Sequence, residues 1–135
     1  MSKLKEKSNF NMQAAESLEG QSLYAPSIHC AYYSCFQLLK YTINDFCGID
    51  YQQQAKEISS SKQQSHQYVV NYITNELKRY VDFHVSRDFK RKIKDLKQFR
   101  IESDYENIEI NTDKSHKAIE LAKEIRTYVI NNFNV

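Results

Sequence analysis

Arg100 stands where the surrounding pattern asks for an apolar side chain. At about 100° per residue it falls within about 20° of Phe89 on a helical wheel, so it continues the stripe Phe89, Ile93, Leu96. A guanidinium on the core side of a helix must find acceptors or meet something at an interface. Asp104, four residues on, is the nearest acceptor in sequence, and Tyr105 follows it. Two readings are open. In one, Arg100 and Asp104 form a structural ion pair at a helix end. In the other, Arg100 sits in a cleft and holds an anionic ligand. Spacing alone favours the ion pair.

The same segment is strongly basic. From Lys78 to Arg100 there are nine basic residues and three acidic ones, in a chain whose net charge is only +2. Arg87, Lys90, Arg91, Lys94 and Lys97 lie on or beside the face away from the apolar stripe. A basic segment on a faintly acidic body suits a polyanion, and these five are the candidate nucleic-acid contacts. The competing reading is a solvated, lysine-rich helix face.

Other reactive residue types organise less well. His29, His66, His84 and His116 form no HExxH and no cluster with cysteine, so no metal site is expected. His66 reads as a helix-start residue. Arg79 and His84 have an Arg-x4-His spacing, but chance alone yields such a pair at roughly this frequency in a chain with these counts. Cys30, Cys35 and Cys47 are odd in number and make no CxxC, so three reduced, mostly buried thiols are expected. Ser34 and Cys35 lie on an apolar helix with no base at a readable spacing and read as packing residues. Tyr32 and Tyr33 could stack on bases, but packing is the stronger expectation. No P-loop and no GxGxxG occurs, and no cofactor is expected.

Composition bounds the elements that must position these residues. The chain has 135 residues, 41% of them hydrophobic, which is one domain with enough apolar matter for a core. Two Gly and one Pro are too few for a turn-dense β fold. No run of about 18 apolar residues is present, so no membrane-spanning helix is expected. The opening MSKLKEKSNFN lacks the apolar stretch of a secretory signal, and a cytoplasmic protein is expected.

The periodicity predicts five helices. The first covers about 9–23, with Phe10, Ala14, Leu18 and Leu23 inward. The second covers 27–46 and follows Pro26, which suits a first helical turn. It is apolar almost all round, as a central or interface helix would be. Its small residues Ala31, Ser34 and Cys35 would admit a close neighbour. The polar stretch 52–64 reads as a mobile loop or frayed turn. A third helix runs from an N-cap at Ser65 to about Tyr80, with Val69, Ile73, Leu77 and Tyr80 inward. A fourth runs from a cap at Ser86 to about Asp104. The last starts near Thr112 or Asp113 and carries Ala118, Ala122, Ile125, Val129 and Phe133 inward. The expected fold is an all-α antiparallel bundle in a single domain, 1–135.

With these elements in place the chain resembles the HEPN family, small helical bundles found widely in prokaryotes. The residues that carry the likeness are AYYSCFQLLK at 31–40, SHQYVVNYI at 65–73, LKQFRIESDYENI at 96–108 and SHKAIELAKEI at 115–125. The third contains the Arg-x-x-x-Asp-Tyr signature of one branch of that family. The resemblance implies a bundle that dimerises through its long helices, with an RNA or nucleotide role. It also implies, for some members, pairing with a small nucleotidyltransferase. Ribonuclease members use Arg, four to six residues, then His at the end corresponding to Arg100. Here the next histidine is His116, and Tyr105 stands at the first position where the histidine would fall. A phenol is a poor general base at neutral pH.

The expected function is therefore a non-catalytic, homodimeric HEPN-like domain. It binds RNA, a nucleotide or a partner protein such as a nucleotidyltransferase, in a toxin–antitoxin or defence-type system. The alternative is a toxin-type, metal-independent endoribonuclease with a divergent site at Arg100 and Tyr105, Asp104 beside them.

Overall fold

A computed structural model describes residues 2–135. Among these the chain forms six α-helices and no strand: α1 Lys3–Gly20, α2 Tyr24–Asp45, α3 Tyr51–Ser61, α4 Ser65–Leu77, α5 Phe83–Tyr105 and α6 Thr112–Phe133. The α-helical class is as expected; the helix count is one higher. None of these helices is long and apolar enough to cross a membrane.

Helix α2 is the axis of the bundle and packs against α1, α4, α5 and α6. Ile28, Ala31, Leu38, Leu39 and Ile43 are all buried, on more than one side of the helix, which is why its sequence shows no narrow stripe. Pro26 sits in its first turn, where a missing amide hydrogen costs nothing. Phe89, Ile93 and Leu96 from α5, and Ala118, Ala122, Ile125, Val129 and Phe133 from α6, complete the core as their spacing predicts.

The additional helix corrects the reading of 52–64 as a loop. Asp50 caps α3 by accepting from the Gln53 amide at 2.8 Å. Gln54 is fully buried and donates Nε2 to the carbonyls of Ile49 (2.9 Å) and Lys40 (3.3 Å), which ties this polar helix to the end of α2. Lys62, in the left-handed region at φ 59°, ends it. Gly48, at φ +73°, supplies a further left-handed turn, just after α2.

Several local expectations also change. Helix α1 starts six residues earlier than the predicted Asn9 and turns a face of small residues inward. Ser8 and Ala15 are buried, while Phe10 is 63% and Leu23 46% exposed. Small side chains let α1 lie close to α2, and hydroxyls bridge the gap: Ser8 Oγ donates to the Ser34 carbonyl at 2.5 Å and Ser27 Oγ to the Ala15 carbonyl at 2.7 Å. Arg126 of α6 joins the same seam. Its Nη1 donates to Ser8 Oγ (2.5 Å) and the Ser34 carbonyl (3.1 Å), and its Nη2 to Asn9 Oδ1 (2.7 Å). Gln64, not Ser65, precedes α4, and no side chain caps that end. Tyr80 lies beyond α4 and is half exposed. Ser86 does not cap α5; it lies a turn inside, buried, with Oγ bonded to the Phe83 carbonyl at 2.9 Å.

Candidate anion-binding site

The wheel position of Arg100 is realised: the residue is buried, 7% exposed, near the end of α5. Its guanidinium faces three aromatic rings, Tyr32 at 5.2 Å, Tyr33 at 5.6 Å and Tyr105 at 5.8 Å. Tyr32 and Tyr33 come from α2, so the site is assembled where α2 and α5 cross. The face of a tyrosine ring is electron-rich and holds a cation without hydrogen bonding to it. The ion pair with Asp104 is present, with Nη1 at 3.6 Å from Oδ2. That separation is an electrostatic contact and too long for a hydrogen bond.

Among the described residues no side chain or carbonyl accepts a hydrogen bond from Arg100, and its buried Nε is without a partner. A guanidinium carries five N–H donors in a rigid fork. Arg126 shows how this chain satisfies such a fork when the role is structural, by serine, asparagine and carbonyl acceptors at 2.5–3.1 Å. Arg100 has the burial without the acceptors.

Two histidines join the site that no spacing in the sequence tied to Arg100. His29, one turn before Tyr33 on α2, has Nδ1 2.9 Å from Asp104 Oδ2. The Asp104 carboxylate is thus shared between His29 and Arg100. His66, in the first turn of α4, stacks on Phe36 (centroids 4.4 Å) and on Tyr32 (5.5 Å). The Tyr32 hydroxyl lies 2.5 Å from His66 Nδ1. His29, Tyr32, Tyr33 and Phe36 lie at helical spacing in the sequence, and that aromatic face was the available signal. Its pairing with His66 of α4 has none.

Burial raises the Tyr32 phenol, which keeps its proton at neutral pH. Loss of hydration, reinforced by Lys97 and Arg100, lowers His66 to about 4, so its ring is neutral at pH 7. A neutral phenol and a neutral imidazole share one hydrogen bond here, and the other ring nitrogen, Nε2, is left to the groove that His66 lines. The folded pKa lies below the ordinary 6.5, so the unfolded chain takes up the proton first as pH falls. Stability is expected to decline from about pH 6.5 to about 4 and to level off below. Thermal melts across this window should fall more steeply for wild type than for His66→Gln; parallel curves would remove His66 as the titrating group.

The basic residues divide. Arg87, Lys90, Lys94 and Lys97 have no acidic group within ion-pair distance among the described residues. Arg91 is engaged with Asp88 at 2.5 Å and Asp95 at 3.9 Å. Lys90, Lys94 and Lys97 line a groove of about 530 Å³ between α4 and α5, with His66 at its edge. Arg87, Lys90, Arg91 and Lys94 line a second, of about 500 Å³, together with His84 and the acidic Asp88. Arg79 is paired with Glu76 at 3.8 Å and 72% exposed, and no described contact joins it to His84. The three cysteines are free thiols, Cys35 buried and raised to about 12 by its loss of hydration. No three His, Cys, Asp or Glu side chains converge as metal ligands among the described residues.

Compared with known families, residues 1–132 match the model of the HEPN domain. No curated protein and no solved structure gave a match.

Proposed function

This chain belongs to the HEPN domain family, and from that premise we propose that it is a non-catalytic binding domain whose Arg100 holds a phosphate of RNA or of a nucleotide. The observation that carries the reading is Arg100 itself, a buried guanidinium with an unpartnered Nε and no hydrogen bond to the protein. A phosphate oxygen pair matches the geometry of its fork. His66 adds a neutral imidazole nearby. The unpaired Arg87, Lys90, Lys94 and Lys97 add long-range attraction.

The family resemblance extends this reading to a homodimer and to a partner such as a nucleotidyltransferase, in a toxin–antitoxin or defence-type system. Tyr105, against Arg100 and 75% exposed, supports a second surface closing over this end of α5.

The rival is a metal-independent endoribonuclease at Arg100 and Tyr105. Tyr105 supplies a hydroxyl where that chemistry uses an imidazole, which argues against it. RNA incubated with the protein in chelator separates the two. The proposal expects no cleavage, with binding that weakens as salt rises, by a slope of about −0.7 in log K against log salt for each phosphate neutralised on a single strand. Cleavage by wild type, lost in Arg100→Ala, would establish the rival. A flat salt response would remove the basic face from binding.

A further inference from the structure

The groove between α4 and α5 has two chemically different walls. On the α5 side stand Lys90, Lys94 and Lys97. On the α4 side stand Gln64, Gln67 and Asn71. Each set follows helical spacing, so the walls run alongside each other for about 10 Å at 1.5 Å per residue. None of the three carboxamides has a hydrogen-bond partner among the described residues, and none of the three lysines has an acidic neighbour within ion-pair distance. Between them the floor is Val70 and Ile93, Ile93 being 4% exposed. One end abuts His66, and Lys97 and Arg100 are the cations close enough to lower its pKa.

We infer that this groove seats a single-stranded stretch of RNA, backbone against the lysine wall and base edges against the carboxamides of Gln67 and Asn71, leading past His66 toward Arg100. The inference rests on the proposed phosphate-binding role of Arg100 and gives it a path and a means of choosing bases. A carboxamide presents a donor and an acceptor side by side, as the edge of a nucleobase does. Lysines are point charges that follow a backbone without reading it. The groove has the volume of a small-molecule site, about 530 Å³, enough for one or two nucleotides. A duplex hides its base edges from such a wall. An acidic amphipathic helix would want a row of exposed apolar anchors, and the floor offers little beyond Val70.

Fluorescence anisotropy on labelled 12-nucleotide A, C and U homopolymers, on a 12-base-pair RNA duplex and on polyglutamate tests this with the full chain. Wild type is expected to bind at least one homopolymer roughly tenfold more tightly than the duplex or polyglutamate. Gln67→Ala with Asn71→Ala should bring the homopolymers within about twofold of one another while the salt slope is kept. Lys90→Ala with Lys94→Ala should weaken all homopolymers alike and flatten the slope by about 0.7 per lost contact. All four side chains are on the surface, and circular dichroism melts check that the variants fold. If wild type binds RNA, but duplex as well as single strand and with a base pattern untouched by the carboxamide pair, the groove is refuted and the Arg100 reading survives. If wild type binds no RNA, both fall. Polyglutamate binding as tight as RNA overturns the groove in favour of an acidic protein segment.

Discussion

Arg100→Met is expected to lower RNA affinity at least tenfold while leaving the fold as stable as before, or more stable by up to about 2 kcal/mol. The two effects follow from one geometry. Bringing a guanidinium out of water costs several kcal/mol, and an orphaned buried donor such as Nε adds about 1–3. Against this stand an ion pair at 3.6 Å and three aromatic faces, together worth a few kcal/mol at most. Methionine fills the same slot without donors, and the tyrosines accept a thioether. Asp104 is not stranded by the change, because it retains His29 at 2.9 Å. Anisotropy with single-stranded RNA and thermal denaturation, run on the same preparation, decide the matter. A melting temperature lowered by more than about 5 °C, with binding intact, would make Arg100 a structural ion pair and end the functional reading.

Arg126→Met should do the opposite: a loss of about 2–3 kcal/mol, or roughly 6–10 °C in melting temperature, with RNA binding unchanged in the fraction that remains folded. Its guanidinium makes three hydrogen bonds that tie α6 to α1 and α2. Removing the donor leaves the Ser34 carbonyl and Ser8 to share one bond in a seam with little room for water. Charge-assisted bonds of this kind are worth about 1.5–3 kcal/mol each, and part of that value is recovered when the side chains relax. Urea unfolding of wild type and variant gives the difference directly. A variant as stable as wild type would show that the α1–α2 seam holds without its arginine. The pair of substitutions tests one rule: in this bundle an arginine hydrogen-bonded to neighbouring helices serves the fold, and a buried one without such bonds serves a ligand.

Helices α2, α5 and α6 were legible because their cores are aliphatic and periodic. Phe89, Ile93 and Leu96, then Ala118, Ala122, Ile125 and Val129, announce a face before any neighbour is known. Helix α3 was not legible. Its only fully buried side chain is Gln54, and a glutamine becomes a core residue only when carbonyls such as those of Ile49 and Lys40 arrive to meet it. The inward face of α1 was misread for a related reason. Ser8 and Ala15 carry almost no hydrophobic signal, and they point inward because a close helix crossing needs small side chains. Phe10 had the signal and lies outside.

The sequence by itself determined the α-helical class, the central place of α2, the family resemblance and the anomaly at Arg100. All of these are local or periodic properties, set by which side chains share a face of one helix. Only the tertiary structure decided what surrounds that arginine. Tyr32 and Tyr33 from α2 present their rings to it, and His29 reaches Asp104. His66 arrives from α4 and is held by the Tyr32 hydroxyl. Both histidines come from other helices, 34 and 71 positions upstream of Arg100. Residues so far apart in the chain are brought together by packing, and packing depends on the sum of all the buried faces rather than on any one spacing.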